Sequence, residues 1–121
     1  MFKEALERIV ERTEGALGAL IMGTDGIAVE KALLPEGSDA NMDVAAAEVT
    51  SLVRNAQRAG HDIGLGGLRE FVITFDTMTI IARLFTRDYF VLLALKAESN
   101  IGRGRFELRK AELDLAREFA V

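Results

Sequence analysis

Residues 16–32, ALGALIMGTDGIAVEKA, decide the fold. Ala16 to Met22 is an unbroken apolar run, too short for a helix between its glycines. It reads as a strand covered on both faces, and so as a central strand of a sheet. Thr24-Asp25-Gly26 is a turn, with Gly26 able to supply a positive φ. Beyond it Ile27, Val29 and Lys31 alternate with Ala28, Glu30 and Ala32. A short, half-polar strand of this kind suits a sheet edge. A doubly covered strand beside an edge strand needs helices on both sides of the sheet.

The flanking sequence supplies them. Phe2, Ala5, Leu6, Ile9 and Val10 recur at helical spacing among charges, predicting an amphipathic helix over about residues 2–13, with Gly15 as its stop. Residues 33–42 carry the only proline, Pro35, with Gly37, Ser38, Asp39 and Asn41, a loop ending in several N-cap candidates. Helical periodicity then runs from about Asp43 to Ala59, with Ala45, Val49, Leu52, Val53 and Ala56 as its stripe. Ala46, Ala47 and Ala59 make this helix narrow enough for another backbone to approach closely. Gly60 to Gly67 reads as a loop.

Three strands follow, over about residues 70–75, 78–85 and 89–95, separated by Asp76-Thr77 and Thr86-Arg87-Asp88. YFVLLAL, residues 89–95, again has the signature of a central strand. Ala97 to Gly104 reads as a polar connection. Phe106, Leu108, Ala111, Leu115 and Phe119 mark a last helix, with Lys110 and Asp114 spaced for an ion pair. The order is helix, two strands, helix, three strands, helix. Short connections between strands make the sheet largely antiparallel, and the class is a three-layer α+β domain over residues 1–121.

Composition narrows the chemistry. The chain has 121 residues, a net charge of −4, no cysteine and one histidine, His61. Disulfides, thiolate zinc sites, thiol nucleophiles and multi-histidine metal sites are excluded. The acidic balance disfavours nucleic acid, and no apolar stretch is long enough for a membrane span, so the expected compartment is the cytoplasm.

The local motifs favour plain readings. Gly102-x-Gly104 lacks a third glycine, having Glu107 there, and follows no parallel βαβ unit. It reads as a turn opening a helix. Gly64-x-Gly66-Gly67 has Arg69 at the third position and leads into a strand, so it is a loop, and there is no P-loop. His61 and Asp62 are adjacent and no serine or second histidine completes a triad, so His61 reads as a solvated loop residue. Asp25 and Asp76 belong to turns. Phe71, Phe75, Phe85, Tyr89 and Phe90 read as core. No catalytic, metal or cofactor site is expected. Arg54 and Arg58 lie one turn apart, off the apolar stripe, and suit an interaction surface. Arg103, Arg105 and Arg109 form a basic cluster that Glu107, Glu112 and Asp114 dilute.

The first helix, Ala19-Leu-Ile-Met-Gly-Thr-Asp-Gly-Ile-Ala-Val, the alanine-rich middle helix and Asn100-Ile-Gly-Arg-Gly-Arg-Phe together resemble the roadblock/dynein light chain family, and within it small bacterial members similar to MglB. The resemblance implies a five-stranded antiparallel sheet of order 2-1-5-4-3, with the first and last helices on one face and the middle helix on the other. It implies a homodimer joined along the second strands and middle helices. It also implies a non-enzymatic, cofactor-free regulator of a Ras-like small GTPase, of the GTPase-activating type. Such members reposition their partner's own switch residues and need no arginine finger. Helical phase with this likeness places the dimer seam at Ile27, Val29, Lys31, Ala45, Val49 and Leu52. The partner-facing surface is placed at Asp43, Glu48, Ser51, Arg54, Asn55 and Arg58. The alternatives are a scaffold or adaptor dimer and a small-molecule sensory domain.

Overall fold

The computed structural model describes residues 2–35 and 41–119. The elements are α1 (Phe2–Arg12), β1 (Ala16–Gly23), β2 (Ala28–Leu33), α2 (Asn41–Asp62), β3 (Glu70–Thr74), β4 (Met78–Leu84), β5 (Tyr89–Lys96) and α3 (Ile101–Phe119). The five strands form one sheet of order β2-β1-β5-β4-β3, antiparallel at every pairing.

All eight residues of β1 are buried, as are Phe90 to Leu95 of β5. The alternation of the pleat sends them to two separate cores. Ala19 and Ile21 of β1 join Val91, Leu93 and Leu95 of β5 against α1 and α3. Leu20 and Met22 join Phe90, Leu92 and Ala94 against α2, where Met42, Ala46, Val49 and Val53 meet them. This is the physical reason both strands read as continuous apolar runs instead of alternating ones. The turn between β1 and β2 forms as its sequence indicates, with the Ile27 N–H donating to Asp25 Oδ1 at 3.0 Å.

The two long helices depart from their predicted limits. α2 continues through Gly60, His61 and Asp62, so His61 lies in its last turn and not in a loop. Gly64, at φ 74°, ends it. The Gly64 N–H donates to His61 O at 3.2 Å and the Leu65 N–H to Gly60 O at 2.8 Å. These two bonds are the pair of a Schellman cap, which puts the terminating glycine four positions beyond the one expected. α3 begins at Ile101, inside the stretch read as a connection. Asn100 caps it, its Oδ1 accepting from the Arg103 N–H at 3.0 Å. Gly104 is there for close approach: a Cβ would come within 3.1–3.3 Å of Leu93, Ile81 and Leu95.

Three side-chain expectations are corrected. Lys110 pairs with Glu107 at 3.4 Å, and Asp114 with Arg117 at 4.0 Å, instead of Lys110 with Asp114. Phe106 is largely exposed and lies beneath Arg103 and Lys110, 5.5 and 5.3 Å from its ring centre. Phe75, just past the end of β3, is exposed and outside the core. The cap candidates Ser38 and Asp39 lie outside the described residues.

Candidate functional site

β2 is one edge of the sheet. Its pairing with β1 is regular from Ala32↔Ala19 to Glu30↔Ile21, then slips, so that Met22 faces Ala28 and Val29 bulges from the ladder. A bulge raises local twist, as is common at sheet edges. Cross-strand partners share a face, so Lys31, opposite Leu20, lies on the α2 side. There its Nζ meets Asp43 Oδ1 at 3.4 Å, tying the first turn of α2 to the edge strand. Both ends of this bridge are well solvated, and such bridges contribute little to stability.

The buried stripe of α2 is Met42, Ala46, Val49, Thr50 and Val53. It keeps Val49 and Val53 of the stripe expected from sequence, and Met42, Ala46 and Thr50 take the places expected for Ala45, Leu52 and Ala56. Leu52, placed there as apolar, is 41% exposed, and Val44 is exposed as well. Of the six seam positions, Ile27, Val29, Lys31 and Leu52 are exposed, Ala45 is half-buried, and Val49 is 4% exposed and packed beneath α2. Val49 is therefore a core residue of the protomer, occupied with Leu20, Phe90 and Leu92. All six partner-surface positions, Asp43, Glu48, Ser51, Arg54, Asn55 and Arg58, are exposed on α2. Arg58 donates to Asn55 Oδ1.

The fold also builds a feature that the sequence does not announce. The C-terminal half of α2, the turn between β4 and β5, and the loop leading to β3 enclose an open cleft of about 1280 Å³. Ser51, Arg54, Asn55 and Arg58 line one wall, and Arg69 and Arg87 line the others. Gln57 Nε2 donates to the Arg87 carbonyl at 3.1 Å and holds the turn against the helix. Arg69 and Arg87 carry no periodic signal that would have linked them to α2.

On the other face, Arg105 grips Glu70 through three hydrogen bonds of 2.7–3.1 Å and joins α3 to β3. That bond from Arg105 holds the Glu70 carboxyl below the usual glutamate range, against the opposing effect of burial, with Arg83 and Arg109 adding attraction. The pair is architectural and lies away from the α2 surface. Among the described residues no three His, Cys, Asp or Glu side chains are grouped to hold a metal, and no helix is long and apolar enough to cross a membrane.

The Roadblock/LC7 domain model matches residues 2–96, through the end of β5. The structure of MglC from Myxococcus xanthus is similar at 32% identity and a TM-score of 0.70, covering 97% of this chain and 98% of that one. MglB from Myxococcus xanthus is similar at 12% identity and a TM-score of 0.86, covering 98% of this chain and 94% of that one. A Roadblock/LC7 domain from Streptomyces avermitilis is similar at 16% identity and a TM-score of 0.85, covering 98% of each chain. At those two identities the likeness speaks to the fold alone. No curated protein sequence matches the chain. With its sheet order, its single helix on one face, the domain match and nearly full-length similarity to MglC, the chain belongs to the Roadblock/LC7 domain family.

Proposed function

We propose that the protein is a homodimer that binds the switch region of a Ras-like small GTPase and stimulates or tunes its nucleotide cycle. The observation that carries this reading is the outer face of α2 lying beside an unpaired sheet edge. Ile27 and Val29 are exposed at the start of β2 and Leu52 on α2, and Glu48, Ser51, Arg54, Asn55 and Arg58 are exposed on the same helix, whose first turn Lys31 ties to the edge strand. Pairing of two β2 edges satisfies the open backbone groups and brings two copies of α2 side by side. Ala45 and Ala47 let the two helices approach. Val49 takes no part in this seam, because it is used within the protomer. Membership of the Roadblock/LC7 family, with MglB and MglC among the similar structures, supports the regulatory role that the family likeness implies.

The chain supplies no acid, base or nucleophile to such a reaction. Its contribution is differential affinity: a surface that binds one switch conformation more tightly shifts the partner towards it. Faster hydrolysis then comes from the partner's own water-orienting and charge-stabilising groups held in register. Single-turnover GTP hydrolysis by the cognate GTPase, with saturating dimer, tests this directly. Acceleration is the expected outcome, and an unchanged rate with binding intact would assign the protein to the scaffold or adaptor class.

A further inference from the structure

Four arginines, Arg54, Arg58, Arg69 and Arg87, line the cleft beside α2, and one acid, Asp88, faces them. Among the described residues Arg54, Arg69 and Arg87 meet no carboxylate, and Arg58 meets only the neutral amide oxygen of Asn55. Of the seven arginines elsewhere, Arg83, Arg103, Arg105 and Arg117 have an acidic partner within 4.0 Å, and Arg8, Arg12 and Arg109 have none among the described residues, so what sets the cleft apart is the gathering of four arginines around one concave surface. The walls of the cleft are nonetheless fixed. Arg54 and Arg58 stand on α2, Arg87 is held to it through Gln57, and the Arg69 carbonyl accepts from the Leu84 N–H at 3.0 Å. Four guanidinium groups around one concave surface, with a single carboxylate among them, make the local potential positive and favour an anion there.

The size of the cleft and the loop beside it say which anion. Small-molecule pockets run to roughly 1,000 Å³ and enclose their ligand; this cleft is larger and open to solvent. Ile63 and Leu65, 69% and 75% exposed, lie in the capping loop between the lining residues His61 and Gly66. An occupant that meets both features carries carboxylates for the guanidinium forks and apolar side chains for the adjoining capping loop. We infer that the cleft docks an acidic, amphipathic peptide segment of a partner protein. A concave trough on a chain of net charge −4 is poorly shaped for an anionic membrane surface. The inference rests on the reading of α2 as partner-facing, since it shares Arg54 and Arg58, whereas Arg69 and Arg87 belong to the cleft alone.

The test uses the full chain and a fluorescein-labelled peptide of alternating Glu-Glu-Leu units, followed by fluorescence anisotropy, with a Gln-Gln-Leu peptide as control. Saturable binding of the acidic peptide is expected, weakening about tenfold or more between roughly 50 and 300 mM salt. R69E/R87E is expected to weaken it by about tenfold or more, and R69Q/R87Q by less, with circular dichroism unchanged. Equal binding of the Gln peptide, or unchanged affinity in R69E/R87E, overturns the inference. So does charge-dependent capture by phosphatidylserine vesicles without peptide binding. Stimulated GTP hydrolysis with no peptide binding overturns this inference and leaves the regulatory reading standing. Peptide binding without any GTPase response supports the docking site and removes that reading.

Discussion

Placing a lysine at the bulge of β2 tests the dimer at its edge. Val29 is 41% exposed in the protomer, and the ladder passes it by, since Ile21 faces Glu30 and Met22 faces Ala28. Full burial of a valine contributes about 2 kcal/mol, so covering the exposed part contributes roughly 0.8 kcal/mol. In a two-fold assembly the substitution enters twice, making about 1.6 kcal/mol of lost apolar burial. V29K adds two ammonium groups. At about 6 Å separation and an effective dielectric near 20 they repel by roughly 3 kcal/mol. The sum, between about 4 and 5 kcal/mol, raises the dimer Kd by about a thousandfold or more. In sedimentation velocity at micromolar concentration the wild type is expected to run as a dimer and V29K as a monomer, with matching circular dichroism. V29A removes only the apolar part and is expected to weaken the dimer by about tenfold. High salt recovers part of the loss in V29K, because the Debye length contracts to about 3 Å at 1 M, and none in V29A. A V29K protein as dimeric as the wild type, or V29A as damaging as V29K, refutes the placement of the seam.

Three more outcomes are expected. R54A/R58A, both on exposed positions of α2, should weaken GTPase binding by about tenfold or more while the sedimenting mass stays that of the wild type; undiminished affinity in a titration rejects this surface. F90A empties a fully buried position shared by β5 and the α2 core, and should cost about 3–5 kcal/mol in urea unfolding, whereas F106A, largely exposed, should cost under about 1 kcal/mol. The Glu70 carboxyl has a lowered folded pKa, so its contribution is fully present above the ordinary glutamate value near 4.5 and is lost as pH falls through the folded value. The stability gap between wild type and E70Q should therefore shrink on acidification, and a gap that widens would contradict the Arg105 pairing.

Much of the fold was legible because burial on two faces leaves a direct mark. ALGALIM and YFVLLAL carry no polar alternation, and both strands lie inside the sheet with a core on either side. The half-polar Ala28–Leu33 strand is the edge, as its alternation indicated. Helix limits were harder to read. Gly60, Gly102 and Gly104 look like breakers in a string of letters, yet Gly60 sits inside α2 and the other two inside α3. Which glycine ends a helix depends on which residue can reach φ 74° and receive the capping bonds, as Gly64 does. Periodicity puts Val49, Leu52 and Val53 on one stripe of α2, yet only Val49 and Val53 are buried, because alanines and valines around most of the circumference leave the phase weakly marked.

The amino-acid order alone determined the class of fold, the sheet edge and the absence of thiol and multi-histidine chemistry, because burial pattern and residue inventory are properties of the linear chain. Only the tertiary structure decided which face of α2 is free, and only it brought Arg69 and Arg87 beside Arg54 and Arg58. Those residues come from a loop, a turn and a helix far apart in the chain. Their meeting depends on where α2 lies on its face of the sheet, and that placement is set by the packing of Met42, Ala46, Val49 and Val53 on β1, β4 and β5.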